Sequence, residues 1–282
     1  MEKTLVYHLY IMDNCRENFV YDIHRFCLGR YIDRFDKIKI VICVDDLKRQ
    51  DLISFGYEWI LSLNISCPLQ INVLQNDELG ESRTFLREIV NEGSDGMVYF
   101  AHSKGVTRII DGQISESVLL WLLCLYFYSF EYMDAVEESF IGMPLRQSVF
   151  YGPLLLIPRE FVDMEAFGPH FAGVFYWVNM PKYKNLKREK RIIEVEPIGR
   201  WFAEIYPGTV FDYRYMGCGL KTIKDAFFEM EDVQTYKMNR YDWNNIFQYY
   251  GKVDEMNNFI EEMYNFIGYE RIDFTNKTVW DD

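Results

Sequence analysis

An imidazole and an ammonium follow an apolar, strand-like run in the segment YFAHSKGVTR, residues 99–108. The run ends at His102, and Ser103, Lys104 and Gly105 come directly after it. In open α/β sheets ligands bind beyond the carboxyl ends of the strands, so His102 and Lys104 are candidates to line such a crevice. Without further information, a solvated loop lysine and a hydrogen-bonded structural histidine are the alternatives.

Two other strand-like runs end in polar residues, KIKIVICVDD (37–46) and LQINVLQND (69–77). Parallel strands bring their carboxyl ends to one edge of a sheet, so the polar residues of three strands converge there. The candidates for one shared crevice are Asp45, Asp46, Asn76, Asp77, His102 and Lys104. The polar residues at any one strand end also fit a solvated turn. It is the convergence of three strand ends that favours a ligand site.

The elements that must position these residues alternate between strands and helices, which is typical of a parallel α/β sheet. Strands are predicted at 4–11, 37–46, 69–77, 96–103, 148–158 and 169–179, and helices at 16–33, 47–63, 80–92 and 115–138. From about residue 216 the pattern is helical, and YDWNNIFQYYG and VDEMNNFIEEMYNFIG each end at a glycine, as helices often do. We therefore predict an α/β domain over 1–215 and a helical C-terminal extension over 216–282 packed on it.

Composition excludes several classes of protein. With 49% hydrophobic and 17% aromatic residues the 282-residue chain is globular, and its longest apolar run, VLLWLLCLYFYSF (118–130), is too short to span a bilayer. The N-terminus lacks the features of a secretory signal, so we expect a cytoplasmic protein. Six cysteines without a CxxC pair indicate reduced thiols. A net charge of −13 argues against nucleic-acid binding.

Three segments taken in order, IVICVDD, INVLQNDELGES and MVYFAHS, resemble the nucleotide-binding half of GT-A glycosyltransferases, whose second strand typically ends in a similar VDD. YFAHSKG, FAGVFYWVN and RWFAE are also similar to the HTKG, FSGNFWWA and RxxAE motifs of a bacterial and viral group of these enzymes. The likeness spans roughly residues 4–210. Ser103 stands where the group has Thr, and Ala172 and Val174 stand where it tends to have Ser and Asn.

The resemblance implies a GT-A-like fold, Rossmann-like with a mostly parallel central sheet flanked by helices. Most GT-A enzymes carry an Asp-x-Asp motif at the position of His102, Ser103 and Lys104, and it holds a divalent cation that neutralises the donor's diphosphate. Lys104 and a neutral or protonated His102 would here supply positive charge directly, and Gly105 would let the backbone approach the phosphates. We expect no required cofactor. Magnesium or manganese, bound by His102 with Asp45, Asp46 or Glu81, stays the alternative.

The resemblance also implies roles for individual residues. The catalytic set is Glu204 as the base that takes the acceptor's proton, with Lys104 and His102. The nucleotide or donor set is Asp45, Asp46, Asn76, Ser103, Gly105 and Arg200. The acceptor set is Tyr176, Trp177 and Trp201, whose rings could stack on sugars. Asp163 and Glu165 are rival bases, and a capping or salt-bridged pair is the alternative for Arg200 and Glu204.

Two functions of different class follow. The favoured one is an inverting glycosyltransferase that moves a sugar from a nucleotide-diphosphate sugar to a saccharide or lipid-linked saccharide, extending a capsule or O-antigen type of surface glycan. The rival is a catalytically inactive GT-A-like binding or scaffold protein in polysaccharide assembly. The cationic run KYKNLKREKR (182–191) fits a solvated helix face or a peripheral contact at the inner face of the membrane. Both a monomer and an oligomer fit.

Overall fold

The computed structural model describes residues 1–92, 95–109, 112–142, 148–153, 155–156, 170–171, 173–192, 197, 202–210, 216–217 and 251–274. Several predictions fall outside the described residues. They concern the site roles of Asp163, Glu165, Arg200 and Trp201 and the helix expected at 241–250.

A seven-stranded sheet forms the centre of the fold, in the order β10-β6-β9-β4-β1-β2-β3. Its strands are β1 (Lys3–Tyr10), β2 (Lys37–Val44), β3 (Leu69–Gln75), β4 (Met97–His102), β6 (Phe150–Tyr151), β9 (Tyr176–Asn179) and β10 (Met216–Gly217). Strand β9 is antiparallel to both of its neighbours, and the other neighbouring pairs are parallel. Two small pairs complete the strands, β5 (Gln113–Ile114) with β11 (Asp273–Phe274) and β7 (Leu155–Leu156) with β8 (His170–Phe171).

Helices flank this sheet, which confirms the predicted α/β class with a mostly parallel central sheet. They are α1 (Val20–Gly29), α2 (Gln50–Leu61), α3 (Glu81–Phe85), α4 (Glu116–Glu131), α5 (Met133–Ile141), α6 (Met180–Arg188), α7 (Phe202–Val210) and α8 (Val253–Ile267). A π-helical stretch, Leu86–Glu92, continues α3. Short 3₁₀ turns lie at Ile32–Arg34, Val106–Arg108 and Tyr269–Arg271.

Three predicted elements are divided in the structure. The helix expected at 115–138 breaks at Tyr132, where α4 and α5 meet at 54°. The strand expected at 169–179 is interrupted between β8 and β9, because Gly173 (φ 98°) and Val174 (φ 60°) take left-handed conformations that turn the chain. The strand expected at 148–158 is likewise split into β6 and β7. These breaks lie in the half of the chain that follows β4.

The described end of the chain contains the predicted C-terminal helix. Helix α8 ends before Gly268, whose φ of 87° fits a glycine that follows a helix. Its apolar side chains Met256, Phe259 and Met263 are buried, and Phe259 contacts Phe127 of α4 with ring centroids 5.4 Å apart. The helix predicted at 253–268 is therefore confirmed, and its amphipathic pattern is satisfied by packing against α1 and α4.

The two faces of the central strands differ in polarity. Side chains alternate along a strand, and the register places His8 beside His102 and Val6 beside Lys39. These residues share one face, whereas the opposite face carries fully buried apolar residues such as Tyr7. The face that carries His8 and His102 therefore also carries the buried charge of Lys39, which needs a partner in the core.

The described residues also bear on membrane spans and thiols. No single helix among them is long and apolar enough to cross a bilayer, and α4 and α5 reach that composition only when taken together across their bend. Twelve of the sixteen side chains of α4 are buried in the protein.

The described cysteines, Cys15, Cys27, Cys43, Cys67 and Cys124, are free thiols, which agrees with the prediction of reduced cysteines.

A buried ion pair fixes the π-helical stretch to the polar face of the sheet. Lys39 Nζ lies 2.7 Å from Glu88 Oε2, with the two side chains 7% and 0% exposed. Arg87 Nε also lies 3.2 Å from the Glu88 carboxylate. The same segment begins just after Thr84, whose hydroxyl lies 2.8 Å from His8 Nδ1. The pair thus holds the helical segment that closes over the histidine face.

Lys39→Met is expected to lower the free energy of unfolding by about 1–3 kcal/mol, because the buried Glu88 charge loses its nearest cation and keeps only the more exposed Arg87 beside it. Replacing both residues, as Lys39→Met with Glu88→Leu, should cost less than the single change, since no charge then stays unpaired. Urea unfolding of the three proteins measures this. A double variant less stable than Lys39→Met would contradict the assignment.

Candidate functional site

A cleft lies at the carboxyl edge of the central strands. It is lined by His8, Tyr10, Asn76, Gly80, Glu81, His102, Ser103, Lys104, Gly105, Val106, Thr107 and Arg108. The predicted convergence is therefore found for the ends of β3 and β4, through Asn76, His102 and Lys104, whereas Asp45, Asp46 and Asp77 do not line the cleft and β1 contributes to it instead. Its volume of about 100 Å³ is several times the roughly 10–15 Å³ that holds one water molecule on this measure, so there is room for a larger group such as a phosphate.

Lys104 brings an ammonium into this cleft. Its Nζ lies 4.0 Å from the ring centroid of Trp121, and its main-chain carbonyl accepts a hydrogen bond from His24 Nε2 at 2.8 Å. Burial lowers the pKa of Lys104, while the carboxylates of Glu204 and Glu81 favour its charged form. Lys104 is thus a partly desolvated cation whose position is fixed at both the main chain and the side chain.

His102 donates its Nε2 hydrogen to the carbonyl of Gly173 at 3.1 Å, since a carbonyl oxygen can only accept. Burial, with Lys104 beside it, holds the pKa of His102 well below its ordinary value. The imidazole is therefore neutral near pH 7. Of the two forms expected for His102, neutral and protonated, burial favours the neutral one, so His102 does not supply positive charge to the cleft.

Glu204 lies on the first turn of α7 and is connected to the same glycine. Its Oε1 accepts the Gly173 N–H at 2.9 Å, and its Oε2 is buried without a hydrogen-bond partner among the described residues. The residue is 9% exposed. The main chain of Gly173 therefore bonds to His102 through its carbonyl and to Glu204 through its N–H.

Gly173 is a functional position that the sequence analysis did not single out. Its φ of 98° favours glycine, and a Cβ there would lie 2.8 Å from Leu125 Cδ1 and 3.2 Å from Lys104 Cε. A side chain would thus collide with the core and with the lysine. The signal available in the sequence was a glycine inside the strand-like run FAGVFYWVN, where an isolated glycine indicates close approach of the backbone.

The start of α7, which carries Glu204, is held by two buried hydroxyls. The Ala203 N–H donates to Ser82 Oγ at 2.9 Å, and the Tyr176 hydroxyl donates to the Ala203 carbonyl at 2.8 Å. An N–H of the first helical turn has no partner within its own helix, so Ser82 satisfies a group that would otherwise be unpaired. Together these two hydrogen bonds fix the first turn of α7, and with it the position from which the Glu204 side chain extends.

The expectation that Tyr176 and Trp177 face an acceptor sugar is contradicted. Both side chains are 0% exposed, because β9 is an inner strand with both faces covered. Tyr176 bonds to Ala203, and the Trp177 indole N–H donates to the Ser129 carbonyl at 2.9 Å. Tyr176 therefore holds the turn of α7 that carries Glu204, and Trp177 belongs to the core.

Ser103 and Gly105 line the cleft in ways that differ from simple ligand contact. The Ser103 hydroxyl accepts the Tyr10 N–H at 2.9 Å and so ties the end of β4 to β1. Gly105 has a φ of 90°, but a Cβ there would meet its neighbours only at 3.7 Å or more. Glycine is thus favoured at position 105 by the positive φ of the turn and not by close neighbouring atoms. Contact of either residue with a donor stays a prediction.

Asp45 and Asn76 form a second cluster beside the cleft with Tyr10. The two carboxylate oxygens of Asp45 accept from the Tyr10 hydroxyl and from Asn76 Nδ2, each at 2.8 Å. Asp46 instead accepts the Lys48 N–H at 2.9 Å in an exposed turn and does not line the cleft. Of the acidic pair, only Asp45 is joined to cleft residues.

Metal binding by His102 was the alternative to a direct cationic role. The His102 Nε2 atom already donates to Gly173, and the described part of the chain contains no group of three His, Cys, Asp or Glu placed to hold a metal ion. The alternative with Asp45, Asp46 or Glu81 as further ligands therefore gains no support from these residues.

Gly173→Ala is expected to lower the free energy of unfolding by at least about 1–2 kcal/mol, because alanine is strained at this φ and its Cβ collides with Leu125. Gly112→Ala is the matched control, since Gly112 has a φ of 82° with nothing within 4 Å of the added Cβ. Urea unfolding should show a larger loss for Gly173→Ala. Equal losses of stability in the two variants would show that only the left-handed φ matters at Gly173 and would contradict the predicted collision with Leu125.

The pH dependence of stability should report the buried histidines. Burial lowers the pKa of His8 to about 4 and that of His24 to about 3, and His102 is lowered as well. The unfolded chain therefore takes up protons below about pH 6.5 that the folded chain does not, and stability falls as the pH falls.

Between pH 6.5 and 5 the expected loss for each of the three histidines rises from about 0.7 kcal/mol per pH unit toward the limit of about 1.4. Urea unfolding at pH 7, 6 and 5 measures the loss, and histidine resonances of the folded protein identify the residues. A stability that is flat over this range would contradict the assignment of neutral imidazoles.

Comparison with known proteins finds similarity among solved structures. No protein-family model matches the chain, and no curated protein matches it. Among solved structures it is similar to a 4-diphosphocytidyl-2C-methyl-D-erythritol synthase from Anaerococcus prevotii, with a TM-score of 0.35 and 10% identity. The match covers 82% of this chain and 99% of that one.

Proposed function

We propose that the protein is a glycosyltransferase that moves a sugar, with inversion, from a nucleotide-diphosphate sugar to a saccharide or lipid-linked saccharide of a growing surface glycan. The observation that carries the proposal is the pairing of a Lys104 ammonium and a Glu204 carboxylate around the main chain of Gly173. The motif resemblance between residues 4 and 210 supplies the reaction class.

The cleft supports binding of the donor's diphosphate. It holds the Lys104 ammonium, and its volume has room for a phosphate group. A charge-assisted hydrogen bond from an ammonium to a phosphate oxygen is strong where water is partly excluded. In this proposal the lysine stabilises the negative charge that develops on the leaving nucleoside diphosphate.

Glu204 supports the other half of the reaction. Its Oε2 takes the proton of the acceptor hydroxyl, whose oxygen attacks the anomeric carbon, while the bond from that carbon to the diphosphate oxygen breaks and its electron pair leaves with the nucleoside diphosphate. Oε1 stays bonded to Gly173, which orients the carboxylate. Because Glu204 is 9% exposed, acceptor binding has to uncover Oε2.

That burial is also the observation that favours a second candidate, a GT-A-like binding protein without turnover. In such a protein the Glu204 carboxylate would only hold the Gly173 turn, through the same 2.9 Å hydrogen bond. The two candidates make the same prediction for donor binding and opposite predictions for catalysis, so they are separated by measuring both.

Calorimetric titration with uridine, guanosine and thymidine diphosphates should show binding that persists in EDTA, because Lys104 supplies the charge. Lys104→Ala should weaken it by about tenfold to a hundredfold, since a hydrogen bond from a charged group is lost. Lys48→Ala is the matched control, because Lys48 is exposed after β2 and does not line the cleft. Loss of binding in EDTA would overturn the direct role of the lysine.

A screen of nucleotide sugars for slow hydrolysis tests turnover. Glu204→Gln should keep the nucleotide affinity of the unmodified protein and lose hydrolysis by about a hundredfold or more, because the amide cannot take a proton. Full activity in Glu204→Gln would remove that residue from the base role. Donor binding without hydrolysis in the unmodified protein would favour the binding protein.

A further inference from the structure

The side chain of Lys104 lies in a slot between an aromatic ring and a stretch of main chain. Its Nζ is 4.0 Å from the ring centroid of Trp121, well inside the roughly 6 Å over which a cation is attracted to an aromatic face. A Cβ on Gly173 would be 3.2 Å from both Lys104 Cε and Trp121 Cζ2. The glycine main chain therefore lies against both the lysine stem and the tryptophan ring, and a side chain there would displace one of them.

Trp121 is buried in a way that its packing alone does not account for. The residue is 3% exposed, yet its indole N–H is buried with no hydrogen-bond partner among the described residues. An unpaired buried donor is costly, and leucine or phenylalanine would fill the space without it. Tryptophan offers the strongest cation-binding face of the aromatic residues, which is the property that Lys104 uses.

We propose that Trp121 is a positioning residue that holds the Lys104 ammonium, in its charged form, at the diphosphate end of the cleft. This positioning role rests on the proposed function, which places the diphosphate of the donor beside Lys104. The Lys104–Trp121 contact itself exists without any ligand and can be measured in the free protein. Trp121 would then do for the ammonium part of what an acidic motif does for a metal ion, which is to fix a positive charge in one place.

The other groups around Lys104 act on its charge in both directions. Burial disfavours the ammonium, and so does the positive charge of Arg108. The carboxylates of Glu204 of α7 and Glu81 of α3 favour the ammonium through space. His24 of α1 bonds to the main-chain carbonyl of Lys104 and not to its ammonium. Trp121 of α4 touches the ammonium directly, so its removal should shift the balance toward the neutral amine.

Titration of Lys104 in the free protein tests this inference. The ¹³Cε resonance of Lys104, followed from pH 6 to 11, gives its pKa directly. Trp121→Leu should lower that pKa by roughly 0.4–1.5 units, the equivalent of a cation–π contact, and Trp121→Phe should lower it by less. Trp59→Phe is the matched control, because Trp59 is also buried, at 5% exposure, but stacks on Tyr7.

Pyrophosphate titration in EDTA then connects the contact to binding. Trp121→Leu should move the high-pH limit of pyrophosphate binding downward by the same interval, weakening affinity above that limit by about 2- to 30-fold. Trp121→Phe should lie between it and the unmodified protein, and Trp59→Phe should match the unmodified protein.

The outcomes separate the two proposals. An unchanged Lys104 pKa in both Trp121 variants overturns the positioning role, whatever the protein binds. A lowered pKa in a protein that binds no pyrophosphate supports the contact and contradicts the proposed diphosphate site. If Trp121→Leu does not fold, the smaller shift in Trp121→Phe decides, and its absence there overturns the inference.

Discussion

The structure of the site depends on the main chain of Gly173. Its carbonyl fixes the His102 ring, its N–H fixes the Glu204 carboxylate, and the absence of a Cβ leaves room for the stem of Lys104 and the edge of Trp121. Groups from β4, α4 and α7 are thereby held around one residue of the turn between β8 and β9. Because main-chain atoms make these bonds, the arrangement depends on backbone conformation more than on the identity of a side chain there.

Charge in the cleft follows from burial. A buried imidazole is more stable neutral, and a neutral ring can donate to a carbonyl at one nitrogen and accept at the other. His24 uses both nitrogens in this way, since it donates to the Lys104 carbonyl and accepts from the Tyr126 hydroxyl at 2.7 Å. His24 and His102 are therefore neutral, and positive charge from the neighbouring pair His102 and Lys104 can come only from Lys104.

The first half of the chain could be predicted from its sequence, because buried parallel strands read as continuous apolar runs and their polar ends mark one edge of the sheet. This reasoning located His102, Lys104 and Asn76 in the cleft. It placed Tyr176 and Trp177 wrongly, because a run of rings in β9 has the same pattern whether it faces a ligand or the core. It missed Gly173, although an isolated glycine in a strand-like run is a local signal, and it missed Trp121, because the partner of a distant lysine has no local signature.

Val174 adopts a conformation that is unusual for its residue type. Asn adopts a left-handed φ more readily than a β-branched residue does. Here valine has a φ of 60° and is 1% exposed, so burial worth about 1.5–3 kcal/mol offsets a strain of roughly 1–2 kcal/mol. Polar contacts from this turn then come from the main chain of Gly173, which is consistent with its bonds to both His102 and Glu204.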